Sequence, residues 1–219
     1  MAVVAKHTST ELSKSERTRQ RILDAAAGVF SEQGYGARLS DIAERAGMKA
    51  GSLYYHFDSR EALVRDVLRL GIQSSWDEVA LAVGRLPQAA TGLQRIAAAI
   101  RAHTLAVVGR SAYATAQARI VGQLPADLAR EHRKDMREYG AYWDDLLRAA
   151  QASGEIDVDV DLLALRMLAF GANWTAEWFR ASDAIAADDL ANQAVRIVLH
   201  GVAPYGRAAP PVSARRPVR

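Results

Sequence analysis

Cysteine is absent from the 219 residues, which removes disulfide frameworks, thiolate metal sites and cysteine nucleophiles together. Lysine is nearly absent too: four of the 28 basic residues are lysines, the rest arginines, and against 25 acidic residues the formal charge is only +3. Proline occurs six times, at Pro87, Pro125, Pro204, Pro210, Pro211 and Pro217, so little interrupts helical segments before the C-terminus. Long apolar runs are also missing. Before Lys6 there is only Ala2-Val3-Val4-Ala5, short of a signal-peptide core. Val160 to Phe179 carries Asp161, Arg166, Asn173 and Glu177, too many polar groups for a lipid-facing span. The expected location is the cytoplasm. The five histidines, at 7, 56, 103, 132 and 200, share no metal-ligand spacing, and phosphate-binding glycine loops and GxSxG elbows are lacking. The acidic pairs Asp144-Asp145 and Asp188-Asp189 sit at adjacent positions, where helical side chains diverge. No enzyme, no metal and no cofactor is expected.

What is present is helical periodicity without sustained alternation, at 50% hydrophobic and 24% charged residues. The chain is expected to be all-α with about nine helices. Ser13 and Glu16 have capping-box spacing, and Ile22, Ala26, Val29 and Phe30 continue the helix to Gln33, where Gly34 stops it. A short helix follows with Ile42, Ala43 and Ala46 inward, then a turn at Gly47 and a second short helix from Lys49 to Phe57. Ser59 caps a longer one reaching Val83, and five further helices are expected near 91–108, 111–123, 125–152, 159–180 and 187–203. Residues 1–12 and 204–219 read as flexible tails, the latter basic; 13–60 read as one domain and 61–203 as a second.

Two short helices joined by a glycine turn, behind a longer supporting helix, are the ingredients of a helix-turn-helix. Leu53 and Phe57, at i and i+4, can anchor the second short helix and leave Lys49, Ser52, Tyr54, Tyr55 and His56 facing outward. Ala50 and Gly51 lack bulk, which lets a phosphate or base edge approach the backbone N–H groups. Lys14, Arg17, Arg19 and Arg21 add positive charge nearby, diluted by Glu16 and Asp24.

Ile42-Ala43-Glu44-Arg45-Ala46-Gly47, then Gly51-Ser52-Leu53-Tyr54-Tyr55-His56-Phe57 and Ser59-Arg60-Glu61-Ala62-Leu63, resembles the TetR family of bacterial transcriptional regulators. The resemblance covers roughly residues 15 to 65. It implies a dimeric repressor with a DNA-binding N-terminal domain, a variable ligand-binding C-terminal domain, and pairing of the last two long helices with their symmetry mates. Carried over by position, Lys49, Gly51 and Ser52 form the major-groove face, Tyr55 packs on bases or thymine methyls, and Tyr54, His56 and Arg60 clamp phosphate. Arg38 stands where the family usually has a Ser or Thr cap for the second helix. Either Ser40 caps a helix that starts later, or Arg38 reaches a phosphate instead.

In the C-terminal half, Leu162 to Ala172 is apolar almost all round, as at a subunit interface. Asn173-Trp174 and Trp178-Phe179, with Lys49-Ala50-Gly51-Ser52, resemble the branch of TetR-type regulators that controls lipid, fatty-acid or steroid catabolism and releases DNA on binding an acyl-CoA. If so, Met136, Tyr139, Trp143, Phe170, Asn173 and Trp174 are candidates to hold the acyl part, and Arg119, Arg130, Arg133, Lys134 and Arg137 the CoA phosphates. Packing at a dimer interface explains the aromatics equally well, and an ion-paired solvent face with Glu131, Asp135 and Glu138 explains the arginines. Expected partners are an operator in double-stranded DNA, a second copy of the chain and a small effector. A constitutive DNA-binding protein without effector, or a regulator of a drug-efflux gene, is the alternative.

Overall fold

A computed structural model describes residues 13–109, 111–171 and 185–202. Among them are eight α-helices, two 3-10 turns and no strand. Helix α1 (Lys14–Gln33) opens on the capping box: the Ser13 hydroxyl accepts from the Glu16 N–H and the Glu16 carboxylate accepts from the Ser13 N–H at 2.7 Å. It ends at Gly34, where φ is +78°. Helix α2 (Leu39–Arg45) closes in a Schellman arrangement, with the Gly47 N–H on the Glu44 carbonyl, the Met48 N–H on the Ala43 carbonyl, and Gly47 at φ +67°. The segment expected as a helix from Lys49 to Phe57 is a 3-10 turn, η1 (Ala50–Tyr55). Its bonds run from Ser52 N–H to Lys49 and from His56 N–H to Leu53, both 2.9 Å. Six residues containing glycine and serine are too few and too weak helix formers to complete α-helical turns, so the tighter geometry prevails.

Helix α3 (Arg60–Gly84) starts at Ser59, whose hydroxyl accepts from the Ala62 N–H. It is followed by α4 (Gly92–Val108), α5 (Ala112–Ile120) with the turn η2 (Val121–Gln123), α6 (Ala126–Ala152), α7 (Leu162–Phe170) and α8 (Ala187–Val202). The Thr91–Gln94 capping box begins α4, where the Glu155 carboxylate also accepts from the Gly92 and Leu93 N–H groups at 2.8 and 2.9 Å. These bonds hold the Glu155 carboxyl below the usual carboxylate range and tie the α6–α7 loop to α4. Helix α7 begins at Leu162, because Asp161 caps it, rather than at 159. Its expected continuation to 180 lies outside the described residues, as do both tails.

Two apolar cores result. One gathers Ile22, Ala26, Phe30, Ile42, Leu53, Phe57, Leu63, Val67 and Leu68 with Ala116 and Ile120 of α5 and Leu128 of α6. The other gathers Ile72, Val79, Ile96, Ile100, Tyr139, Trp143, Leu147, Leu165 and Val198. Helix α3 therefore serves the first core with its N-terminal half and the second with the rest. Where the cores meet, Gly71 is buried and lets α5 pack close: a Cβ there would meet the Tyr113 carbonyl oxygen at 2.9 Å and the Gln117 amide oxygen at 2.6 Å. Gly71→Ala must displace backbone as well as a side chain, and is expected to lower stability by about 1–3 kcal/mol. Urea denaturation checks this; an unchanged midpoint would mean that α5 does not hold this position.

Candidate nucleic-acid interface and effector cavities

The outward residues of η1 stand on two anchors. Leu53 and Phe57 are buried in the first core, and between them Tyr54 and Tyr55 are 59% and 89% exposed. Burying two such rings would repay their apolar area, so their presentation to solvent marks a contact surface. Lys49, Ala50 and Gly51 are exposed, while Ser52 and His56 are half-buried. A Cβ at Gly51 would meet nothing within 4 Å among the described residues, so none of them requires glycine there. Arg38 is exposed at the start of α2 and its side chain makes no capping bond. Ser40 is no substitute cap: the helix has already begun at Leu39, and the Ser40 hydroxyl donates to the Asp41 carboxylate at 3.0 Å. The α2 N-terminus thus lacks a side-chain cap, as the substitution of Arg38 for a hydroxyl residue implies.

Arg60 departs from the expected phosphate contact. Its guanidinium turns inward, donating to the Tyr35 carbonyl and, at 3.1 Å, to the Ala37 carbonyl. It also lies 4.4 Å from the centre of the Tyr35 ring. Here it ties the α1–α2 loop to α3. Two other head arginines are similarly occupied. Arg19 pairs with Asp66 and lies 4.6 Å over Phe57. Arg45 grips both Glu32 carboxylate oxygens at 2.9 and 2.7 Å while passing against Gly28. Lys14, Arg17 and Arg21 remain exposed.

In the body, a cleft of about 890 Å³ opens between α6 and α7, lined by Arg133, Met136, Arg137, Gly140, Asp144, Arg166, Met167, Phe170 and Gly171. Arg166 is paired with Asp144 at 2.7 Å. Arg133 and Arg137 have no ion pair among the described residues, because the acids beside them look elsewhere or stay unpaired. Glu131 reaches Arg65 on α3, and Asp127 takes Arg130. A smaller cavity of about 210 Å³ lies between α3, α4, α5 and α6, and Met136 and Tyr139 are in its wall. A third, apolar hollow of about 380 Å³ between α4, α7 and α8 is lined by Ile100, Leu165, Leu168, Ala194 and Ile197 among others.

Of the candidate effector residues, the structure gathers Arg133, Met136, Arg137, Tyr139 and Phe170 around the cleft and the inner cavity. It does not bring two others there. Trp143 is fully buried and packs edge-on against Phe170, with ring centres 5.4 Å apart, so it is core rather than lining. Arg119 is exposed on α5 and borders none of these cavities; its carbonyl accepts from the Gln123 side chain. Asn173 and Trp174 lie outside the described residues. Sequence reasoning missed Arg166, Ser75, Gln117 and His132. The signal for His132 was its spacing: it shares one face of α6 with Met136, Tyr139 and Trp143.

A helix-turn-helix head with exposed aromatics, carried on an α-helical body that contains cavities, is the build of a DNA-binding transcriptional regulator. Residues 22–67 match the family described as bacterial regulatory proteins, tetR family, and residues 89–202 match the tetracyclin repressor-like, C-terminal domain. The HTH-type transcriptional repressor KstR2 of Rhodococcus jostii is 30% identical over 188 residues, covering 84% of this chain and 91% of that protein. KstR2 of Mycolicibacterium smegmatis is 28% identical over 200 residues, covering 87% and 93%. Among solved structures, the ketosteroid transcriptional regulator KstR2 of Mycobacterium tuberculosis superposes with a TM-score of 0.67 at 25% identity, over 85% of this chain and 95% of that one. AibR in complex with isovaleryl coenzyme A and operator DNA superposes at 0.73, over 82% and 97%, a likeness of fold at 21% identity. The chain belongs to the TetR family of bacterial transcriptional regulators. No helix among the described residues is long and apolar enough to cross a membrane.

The inward turn of Arg60 changes what its removal should do. Arg60→Ala is expected to cost about 1.5–3 kcal/mol of stability through two lost charge-assisted bonds. Thermal and urea denaturation check this. Unchanged stability together with a flatter salt dependence of DNA binding would return Arg60 to the phosphate backbone.

Proposed function

We propose that the chain is an effector-released repressor that binds a pseudo-palindromic operator as a homodimer. Residues 13–60 would form the DNA-binding head and 61–203 the effector-binding and dimerisation body. The observation that carries this reading is the pair Tyr54 and Tyr55, held out from the core by the buried Leu53 of η1 and Phe57 just beyond it. Tyr55 packs on base edges or thymine methyls. Lys49, Gly51 and Ser52 complete the base-reading face, and Tyr54, His56 and Arg38 contact phosphate.

For the dimer, support comes from the apolar side chains that α7 and α8 leave outside: Leu163, Met167, Leu168 and Ile197 are each more than half exposed. For the effector, we assign a coenzyme A thioester. Arg133 and Arg137 face an open cleft that shares Met136 with the inner cavity, which suits phosphates outside and an acyl group inside. One structural neighbour, AibR, is named as a complex with isovaleryl coenzyme A and operator DNA, which agrees with that chemistry. The effector acts only by its different affinity for the DNA-competent and DNA-incompetent head spacings, with α3 as the lever between body and head.

The test begins with selection of an operator from random DNA by the full-length protein. Fluorescence anisotropy follows at near-physiological salt against random competitor, with titration of long-chain and steroid-derived acyl-CoAs, free CoA and the free acids. Competitor-resistant binding is expected, with release by an acyl-CoA alone. Tyr55→Ala is expected to lose about 1–3 kcal/mol of discrimination at one or two base pairs. Equal losses on cognate and random DNA would refute the role of Tyr55, and absence of any sequence-specific complex would refute the regulator reading.

A further inference from the structure

The turn that presents Tyr54 and Tyr55 has little means of holding itself rigid. It is six residues long and closed by 3-10 bonds, so the direction of its outward side chains is set by whatever grips its ends. Leu53 and Phe57 supply that grip: both are buried, and the Phe57 N–H donates to the Leu53 carbonyl at 3.0 Å. Phe57 differs in its cover. A guanidinium lies over its ring, with Arg19 Cζ 4.6 Å from the centre.

Arg19 reaches the ring from α1, and its other contact is the Asp66 carboxylate on α3. Asp66 is half-buried and is also approached by the exposed Arg69 of its own helix at 3.5 Å. One planar group therefore joins α1, the end of the recognition turn and α3. A leucine or methionine would cover the ring without a charge to desolvate, but apolar cover has no preferred direction. A guanidinium that keeps its face on the ring and its edge on a carboxylate resists sliding and rotation of the ring against α3. A lysine ammonium is a point charge and serves one of these contacts at a time.

We infer that Arg19 is a positioning residue for base reading. Held by Asp66, it fixes Phe57, and through Phe57 the pose of Tyr55, without touching DNA itself. This rests on the reading of Tyr55 as the residue that contacts bases.

The test uses the full-length protein, an operator selected from random DNA, and fluorescence anisotropy on operator and random duplexes across a salt series. Arg19→Lys, which keeps the charge, is expected to lose about tenfold in preference for operator over random DNA. Its affinity for random DNA should stay within about twofold and its salt slope should not change. Asp66→Asn should lose preference in the same direction, and the double variant should be no worse than either single one. In the free protein, hydrogen exchange of Arg19→Lys should show the Phe57 amide less protected while the α1 amides between Ile22 and Phe30 keep their protection.

A direct phosphate contact by Arg19 predicts the opposite. Arg19→Lys would then keep its preference, Arg19→Met would weaken all sequences together with a salt slope smaller by about one, and Asp66→Asn would tighten binding. Any of these results, or a loss of protection spread along α1, would overturn the inference. If the unsubstituted protein selects no operator, the regulator reading fails, and the exchange of the Phe57 amide alone then decides whether Arg19 holds the turn.

Discussion

The arrangement depends on α5 being packed into the core of the head. Ala116 and Ile120 have no exposed surface and share a cluster with Ile22, Phe30, Leu63 and Val67. Polar contacts extend the same junction: the Tyr113 hydroxyl donates to Asp24 at 2.6 Å and accepts from Gln20 at 2.9 Å, while Gln123 accepts from the Tyr35 N–H at 3.0 Å. Another face of α5 supplies Ala114, Gln117 and Ala118 to the inner cavity, with Val121 of η2 beside them. A single nine-residue helix thus borders both the DNA-binding head and the cavity. Close-packed interiors transmit displacement instead of absorbing it, so what fills the cavity bears on α1 through this helix.

Charge in the head is divided between holding and contacting. Arg19, Arg45 and Arg60 are occupied by Asp66, Glu32 and the carbonyls of the α1–α2 loop, and each joins two elements. They set the angle at which η1 is presented. Lys14, Arg17, Arg21, Arg38 and Lys49 stay exposed and supply the positive potential facing outward.

Features governed by near neighbours were legible in the sequence. The Ser13–Glu16 capping box, the Ser59 cap, the turns at Gly34 and Gly47 and the anchoring of Leu53 and Phe57 all follow from spacing within a few residues. The family signature sits in the same stretch. Features governed by distant neighbours were not. Arg60 looked like a surface cation because the carbonyls that claim it lie 23 and 25 positions away. Trp143 and Arg119 were placed near an effector by residue type, whereas tertiary packing sends one into the core and the other to the surface. Conversely, the charge run on α6 suggested a self-paired face, and only the fold shows Glu131 drawn to Arg65 on α3.

Native-state hydrogen exchange on the full-length protein tests the central claim, that head and body share α5 as one packed unit. Amides of α1 between Ile22 and Phe30 should open with the same free energy as those of α5 between Ala112 and Ile120. Both sets should gain protection together when the inner cavity is filled. Opening of α1, α2 and η1 at a lower free energy, with α5 still protected, would contradict it.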